Sequence, residues 1–159
     1  MRKIDLIVIH CSATRETVNY KPEQLEEDHK RRGFLCCGYH YYIRKNGDII
    51  TMRPIAMPGA HAKGYNAHSI GICYEGGLDT HGRPRDTRTV WQKHSLLVLV
   101  RVLLLDYPGC RVVGHRDLNP DLNHNGEVEP MEWTKQCPCF DVGQWMEREV
   151  LQGGFLPTQ

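Results

Sequence analysis

The sequence predicts an α/β class, a single domain on one mixed central β-sheet flanked by helices. Three observations carry this. Short β-branched runs alternate with helix-forming segments along 159 residues, the pattern of strands covered by helices. An Asn46-Gly47 pair between two strand-like segments supplies an antiparallel hairpin. Neither an internal repeat nor a low-complexity linker divides residues 1–159, a length at which one core suffices for stability.

Taken in order, Ile4-Asp5-Leu6-Ile7-Val8-Ile9 is a β-branched run that reads as a central strand delivering His10 at its C-terminal end. Pro22 opens a helix through Arg32, with Gly33 as its stop signal. Tyr39–Arg44 and Asp48–Arg53 are the hairpin strands, and Ser69–Glu75 is a further strand closed by Gly76-Gly77. Residues 78–86 mix Gly, Pro, Asp and His without period and read as a loop. Thr89–Asp106 is a long buried helix ended by Pro108-Gly109. Arg111-Val112-Val113 forms a short strand running into Gly114-His115, and Asp141 caps a last helix carrying Trp145 and Met146.

Forty per cent hydrophobic and 25 per cent charged residues describe an ordinary globule. The 20 basic and 19 acidic side chains nearly cancel, which argues against a broad electrostatic grip on nucleic acid or anionic lipid. The partner expected is therefore a ligand held by a local site, with no nucleic acid, no stable membrane association and a monomeric chain. Leu96–Leu105 is the most apolar stretch, but Arg101 interrupts it and it is about half a bilayer span. Met1-Arg2-Lys3 precedes a run too short and too charged for a signal peptide, so the chain is expected to be cytoplasmic as synthesised. Seven cysteines, an odd set without an export signal, favour thiols or metal ligands over a disulfide framework. His29, His81 and His94 are expected to be exposed, His40 to be structural or to support the site residues from behind, and Cys11, Cys36, Cys37, Cys73 and Cys110 to pack as small hydrophobes.

Three segments hold metal-ligand chemistry: Ile9-His10-Cys11, Gly114-His115-Arg116-Asp117, and Lys135-Gln136-Cys137-Pro138-Cys139. His10 and His115 each follow a predicted strand. Two imidazoles and one thiolate suit zinc, and three protein donors leave a fourth position open for water, as in catalytic sites. The donors are scattered and form no short H-x-x-H phrase, so unrelated polar residues at strand ends fit the spacing equally well.

Five phrases in order, Ile-His-Cys-Ser-Ala-Thr (9–14), Gly-Tyr-His-Tyr (38–41), His-Ala-Lys-Gly-Tyr-Asn (61–66), Ser-Ile-Gly-Ile-Cys (69–73) and Lys-x-Cys-Pro-x-Phe-Asp (135–141), resemble those of amidase-type phage lysozymes. These are zinc-dependent N-acetylmuramoyl-L-alanine amidases that share a fold with peptidoglycan recognition proteins. The resemblance spans about residues 4–147. It implies hydrolysis of the lactyl–L-alanine amide of peptidoglycan or a released muropeptide, as an endolysin or prophage lysin released by a partner pore, or as a recycling enzyme. It also implies His10, His115 and Cys137 as zinc ligands, Tyr39 and Lys135 as catalytic residues, and a substrate cleft lined by His61, Lys63 and Asn66. Cys139, two residues beyond Cys137, is a departure from the family phrase and an alternative ligand. The rival function is a non-catalytic peptidoglycan-binding module on the same fold.

Residues 121–132, inserted between His115 and Cys137, match the twelve-residue calcium-loop pattern D-x-[DN]-x-[DN]-G-x5-E at every specified position. The oxygen donors expected are Asp121, Asn123, Asn125, the Glu127 carbonyl, Glu129 and Glu132, with Gly126 at the sharp turn. A polar turn that needs no ion reads the same way, and Pro120 argues against a full incoming helix.

Overall fold

A computed structural model of the chain describes residues 1–152. Its main sheet has five strands in the order β4-β3-β5-β1-β7: β1 (Leu6–Cys11), β3 (Tyr41–Ile43), β4 (Ile49–Thr51), β5 (Ser69–Tyr74) and β7 (Arg111–Gly114). Only the β3–β4 hairpin is antiparallel; β3, β1 and β7 join their neighbours in parallel. The mixed sheet is therefore the one expected, with the hairpin as its antiparallel part. A second, two-stranded sheet pairs β2 (Thr14–Arg15) with β6 (Gly77–Leu78). Two residues per strand carry no periodicity, so the sequence holds no signal for this second sheet.

Strands β1 and β5 are buried on both faces, as parallel strands covered from two sides must be. Alternation along β1 sends Ile7 and Ile9 to one face, where they join Ile70, Ile72, Leu96, Val100, Leu103 and Leu104 in the main core. Leu6 and Val8 face the other way, with Val113. His10 shares that second face, and so do Gly71 and Cys73 of β5.

Helix α2 (Val90–Asp106) covers the first face. Thr89 starts it through a capping box, its hydroxyl accepting the Gln92 N–H while the Gln92 side chain accepts the Thr89 N–H. Leu96, Leu99, Val100, Leu103 and Leu104 recur at helical spacing and are buried, each contributing roughly 1.5–3 kcal/mol of apolar transfer. The helix is not buried all round, however. Val98, Val102 and Leu105 on its outer side are exposed, because only one face can meet the sheet. Helix α1 (Pro22–Arg31) lies over the second face and buries Leu25 and His29. Helix α3 (Val142–Trp145) is capped by Asp141, which accepts the Gln144 N–H, and runs into a wider turn over Met146–Val150.

Candidate metal centre

The sheet register sets the centre. Ile9 of β1 stands opposite Gly114 of β7 in parallel pairing. The next residues, His10 and His115, therefore leave the same sheet end side by side, with ring centroids 4.5 Å apart. His10 is the fifth residue of β1 and not the residue after it, since the strand runs to Cys11.

Cys137 arrives from a separate segment that is tied down at several points. Its carbonyl accepts the Arg116 N–H at 2.9 Å, and its sulfur accepts the Cys11 N–H at 3.2 Å. The next carbonyl, of Pro138, accepts the Tyr74 hydroxyl at 2.6 Å. Gly114 makes room for this segment, because a Cβ there would stand 2.8 Å from the Pro138 ring. The donor atoms of His10, His115 and Cys137 all lie within 4.8 Å of one another. Cys139 is turned elsewhere, its sulfur 3.4 Å from the Gly77 carbonyl and 4.0 Å from the Cys11 sulfur.

Burial, followed by the neighbouring His61 and His115 rings, holds the pKa of His10 well below the ordinary range for histidine. Burial and then the Lys135 charge lower that of His115. Both shifts favour the neutral ring, the form that has a lone pair to offer a metal. Two neutral imidazoles and a thiol in one small cluster are a donor set that fits zinc, with three protein donors and room for a fourth ligand.

The trio forms one wall of a cavity of about 260 Å³, shared with Tyr39, His61 and Lys135. The Tyr39 ring lies 5.0 Å from that of His10, and burial pushes its phenol pKa well up. A second cavity of about 260 Å³ adjoins it, lined by Lys63, Tyr65, Arg116 and Asn119; His115 and Lys135 belong to both walls. The two together make one cleft.

Not every cleft residue faces solvent in the way its phrase suggests. Asn66 has its side-chain oxygen committed to the backbone N–H groups of His61 and Ala62, each at 2.9 Å. His61 stands behind His10, 2.8 Å from its Nε2. Lys63 is exposed on the cleft wall.

Three residues of the site were not singled out from sequence. His29, expected at the surface, is buried; its Nδ1 accepts the Gly38 N–H at 2.7 Å and its ring packs 5.3 Å from Tyr39. The signal was available, since Leu25 and His29 are four apart on one helix face. Arg32 reaches the metal-side cavity from just beyond α1. Arg116 lies 3.8 Å over the Trp133 ring at the rim of the second cavity.

The loop 121–132 behaves differently from the trio. Among the described residues, the group of three or more His, Cys, Asp or Glu donors within 4.8 Å is His10, His115 and Cys137, and Asp121, Glu129 and Glu132 do not form another. The Asp121 carboxylate accepts the N–H groups of Asn125 and Gly126, and that of Glu132 accepts those of Leu122, Asn123 and Glu129.

Residues 1–139 match the family model described as N-acetylmuramoyl-L-alanine amidase. The chain belongs to that family. The endolysin of Escherichia phage T7 is 35% identical over 147 residues, covering 92% of this chain and 88% of the phage protein. Among solved structures, the N-acetylmuramoyl-L-alanine amidase LysC from Clostridium intestinale is 30% identical, with a TM-score of 0.72 over 92% of this chain and 85% of that one. A Drosophila peptidoglycan recognition protein, PGRP-LB, shares the fold at 21% identity and a TM-score of 0.69, covering 94% of this chain and 84% of its own. The amidase family and the recognition proteins thus share this mixed sheet and its flanking helices.

Proposed function

We propose that this amidase-family chain is a zinc-dependent hydrolase of the amide bond between the lactyl group of N-acetylmuramic acid and L-alanine in peptidoglycan. The observation that carries this is the gathering of His10, His115 and Cys137 in the wall of a cleft that also holds Tyr39 and Lys135. When bound by the trio, zinc supplies a Lewis acid and lowers the pKa of a coordinated water to about 7.

The chain's own residues do the rest. Tyr39, kept as a neutral phenol by its burial, holds a proton it can donate or use to orient a water. Lys135 brings a positive charge to the junction of the two cavities, where it steadies an oxyanion, an effect worth about 3 kcal/mol. Lys63 and Arg116 make the second cavity cationic, and this suits an anionic part of the substrate. Asn66 acts on the cleft indirectly, by fixing the His61–Ala62 backbone.

The binding-only reading draws on the shared fold with recognition proteins; the presence of Cys137 beside two histidines favours the enzyme. For the loop 121–132 we propose calcium as ligand. This rests on the full motif match and on Gly126, whose φ of +92° makes the sharp turn the pattern requires.

The deciding experiment digests purified peptidoglycan and identifies the new termini by mass spectrometry. New L-alanine amino groups without new reducing sugar ends, abolished by a zinc chelator and restored by zinc, are the expected result. Reducing ends would indicate a glycosidase, and binding without any new terminus would indicate a recognition module.

A further inference from the structure

We propose that His61 is a positioning residue for His10, fixing through one hydrogen bond which ring nitrogen His10 offers to the metal; this rests on the zinc reading of the trio. His10 Nε2 lies 2.8 Å from His61 Nδ1, and His61 Nε2 lies 3.2 Å from the Ser69 hydroxyl. Two imidazoles in a hydrogen bond share one proton, so one must donate and the other accept. A metal takes only an unprotonated nitrogen. With Nε2 directed at His61, His10 is left with Nδ1 for the metal and carries its proton on Nε2. His61 then accepts at Nδ1, holds its own proton on Nε2, and donates it to Ser69. The chain Ser69–His61–His10 thus sets both tautomers.

The ring of His61 is held where this bond requires it. A Cβ at Gly71 would stand 2.6 Å from its Cγ and Cδ2, and one at Gly59 would stand 2.6 Å from its Cδ2. The ring therefore lies in a slot between two bare Cα atoms. Its backbone is pinned as well, by the Asn66 side-chain oxygen on the N–H groups of residues 61 and 62. A side chain at either glycine would therefore displace the ring from this position.

The choice of partner has a chemical consequence. Metal-bound histidines usually donate their outer N–H to a carboxylate, a carbonyl or water. An imidazole fixes the tautomer as well as a carboxylate does but adds no negative charge. Zinc held by two neutral imidazoles and one thiolate would keep a net positive charge, able to polarise a carbonyl. His61 orients the ligand without weakening the ion.

The test compares His61→Asn, whose side-chain oxygen replaces the Nδ1 acceptor, with His61→Leu, which fills the slot without an acceptor. Zinc affinity is measured by competition with a chromogenic chelator, and the cobalt-substituted proteins are compared by visible absorption. His61→Leu is expected to bind zinc about 10–100-fold more weakly and to shift the cobalt bands. His61→Asn is expected to stay near wild type in both. Leu and Asn variants that bind zinc equally well would overturn the assignment, and equal weakening with unchanged cobalt spectra would reduce His61 to packing and also overturn it. A wild-type protein that takes up no zinc would instead reject the zinc reading itself. Ser69→Ala, which leaves His61 in its slot and removes only the far end of the chain, is expected to weaken zinc less than His61→Leu does.

Discussion

The sulfur of Cys137 accepts the backbone N–H of Cys11 at 3.2 Å, so the residue that follows His10 in β1 also fixes the third donor of the trio. One strand thereby positions two of the three candidate donors, one by its side chain and the other by an amide. Cys137→Ser is expected to lower zinc affinity by at least about a hundredfold, more than the loss on removing an outer partner. Cys139→Ser should retain one zinc per chain, because its sulfur faces Cys11 and Gly77. Metal analysis after dialysis checks both, and zinc retained by the first but lost from the second would reverse the two roles.

Lys135 and Tyr39 border the metal-side cavity without belonging to the donor trio. Lys135→Ala is expected to lower kcat by roughly 10²–10³ if its charge meets the oxyanion, and Tyr39→Phe by roughly 10² or more. Both variants should keep their zinc, which separates transition-state roles from ligation. Full activity in either variant would remove that residue from the mechanism.

How far the site was legible depends on what carries each residue. His10 and His115 were visible as polar residues at the ends of β-branched runs, and the parallel register of β1 and β7 turned that position into contact. Cys137 was visible only through its phrase, since no short-range spacing links it to the histidines; a tertiary path through Arg116, Cys11 and Tyr74 brings it there. His29 and the slot around His61 were hidden for another reason. Burial of a histidine on a mostly polar helix, and the absence of a Cβ at Gly59 and Gly71, become meaningful only once the loop of residues 59–66 is folded over β5. The five strands of the main sheet showed as β-branched runs and as the segments flanking Asn46-Gly47, whereas the two-residue strands β2 and β6 are too short to show any such run.

His40 gives the fold a pH dependence of known sign. It is fully buried, its Nδ1 accepts the Gly71 N–H at 3.0 Å, and its Nε2 lies 2.8 Å from the Met57 carbonyl and 3.1 Å from an Arg2 nitrogen. Burial lowers its pKa from 6.5 to about 4. Between those values the unfolded chain binds a proton at His40 that the folded chain does not. Stability from this residue is therefore complete above pH 6.5 and is lost as pH falls toward 4, by up to about 3 kcal/mol. Other lowered histidines add to the same slope, so the comparison is with His40→Gln. Urea unfolding at successive pH values should show the variant less stable at neutral pH, and with a shallower slope between pH 6.5 and 4. Equal slopes in the two proteins would mean that His40 is not the group titrating.

The loop 121–132 calls for a measurement in which an ion and an internal hydrogen-bond network give opposite results. Its side chains already turn inward: the Asn123 and Asn125 amides both donate to Glu129, at 2.8 and 3.0 Å, and Asp121 accepts the Gly126 N–H at 2.8 Å. Glu132 accepts three backbone N–H groups, and that of Glu129 in particular holds its carboxyl pKa below the usual range. For calcium to bind, the two amides must turn their oxygens inward and the carboxylates must close on one point, changes of side-chain rotamer that leave the turn at Gly126 in place. Calcium added to chelator-treated protein is then expected to raise the melting temperature by mass action on the folded state. Glu132→Gln combined with Asp121→Asn should abolish that rise. The same double variant should melt below wild type even in chelator, because both carboxylates hold backbone donors whether or not an ion is present. A wild type that melts at the same temperature with and without calcium would leave the network as the whole explanation of the loop. In that event its task is mechanical, since Trp133 and Lys135 follow it directly and it sets where they meet Arg116 and His115.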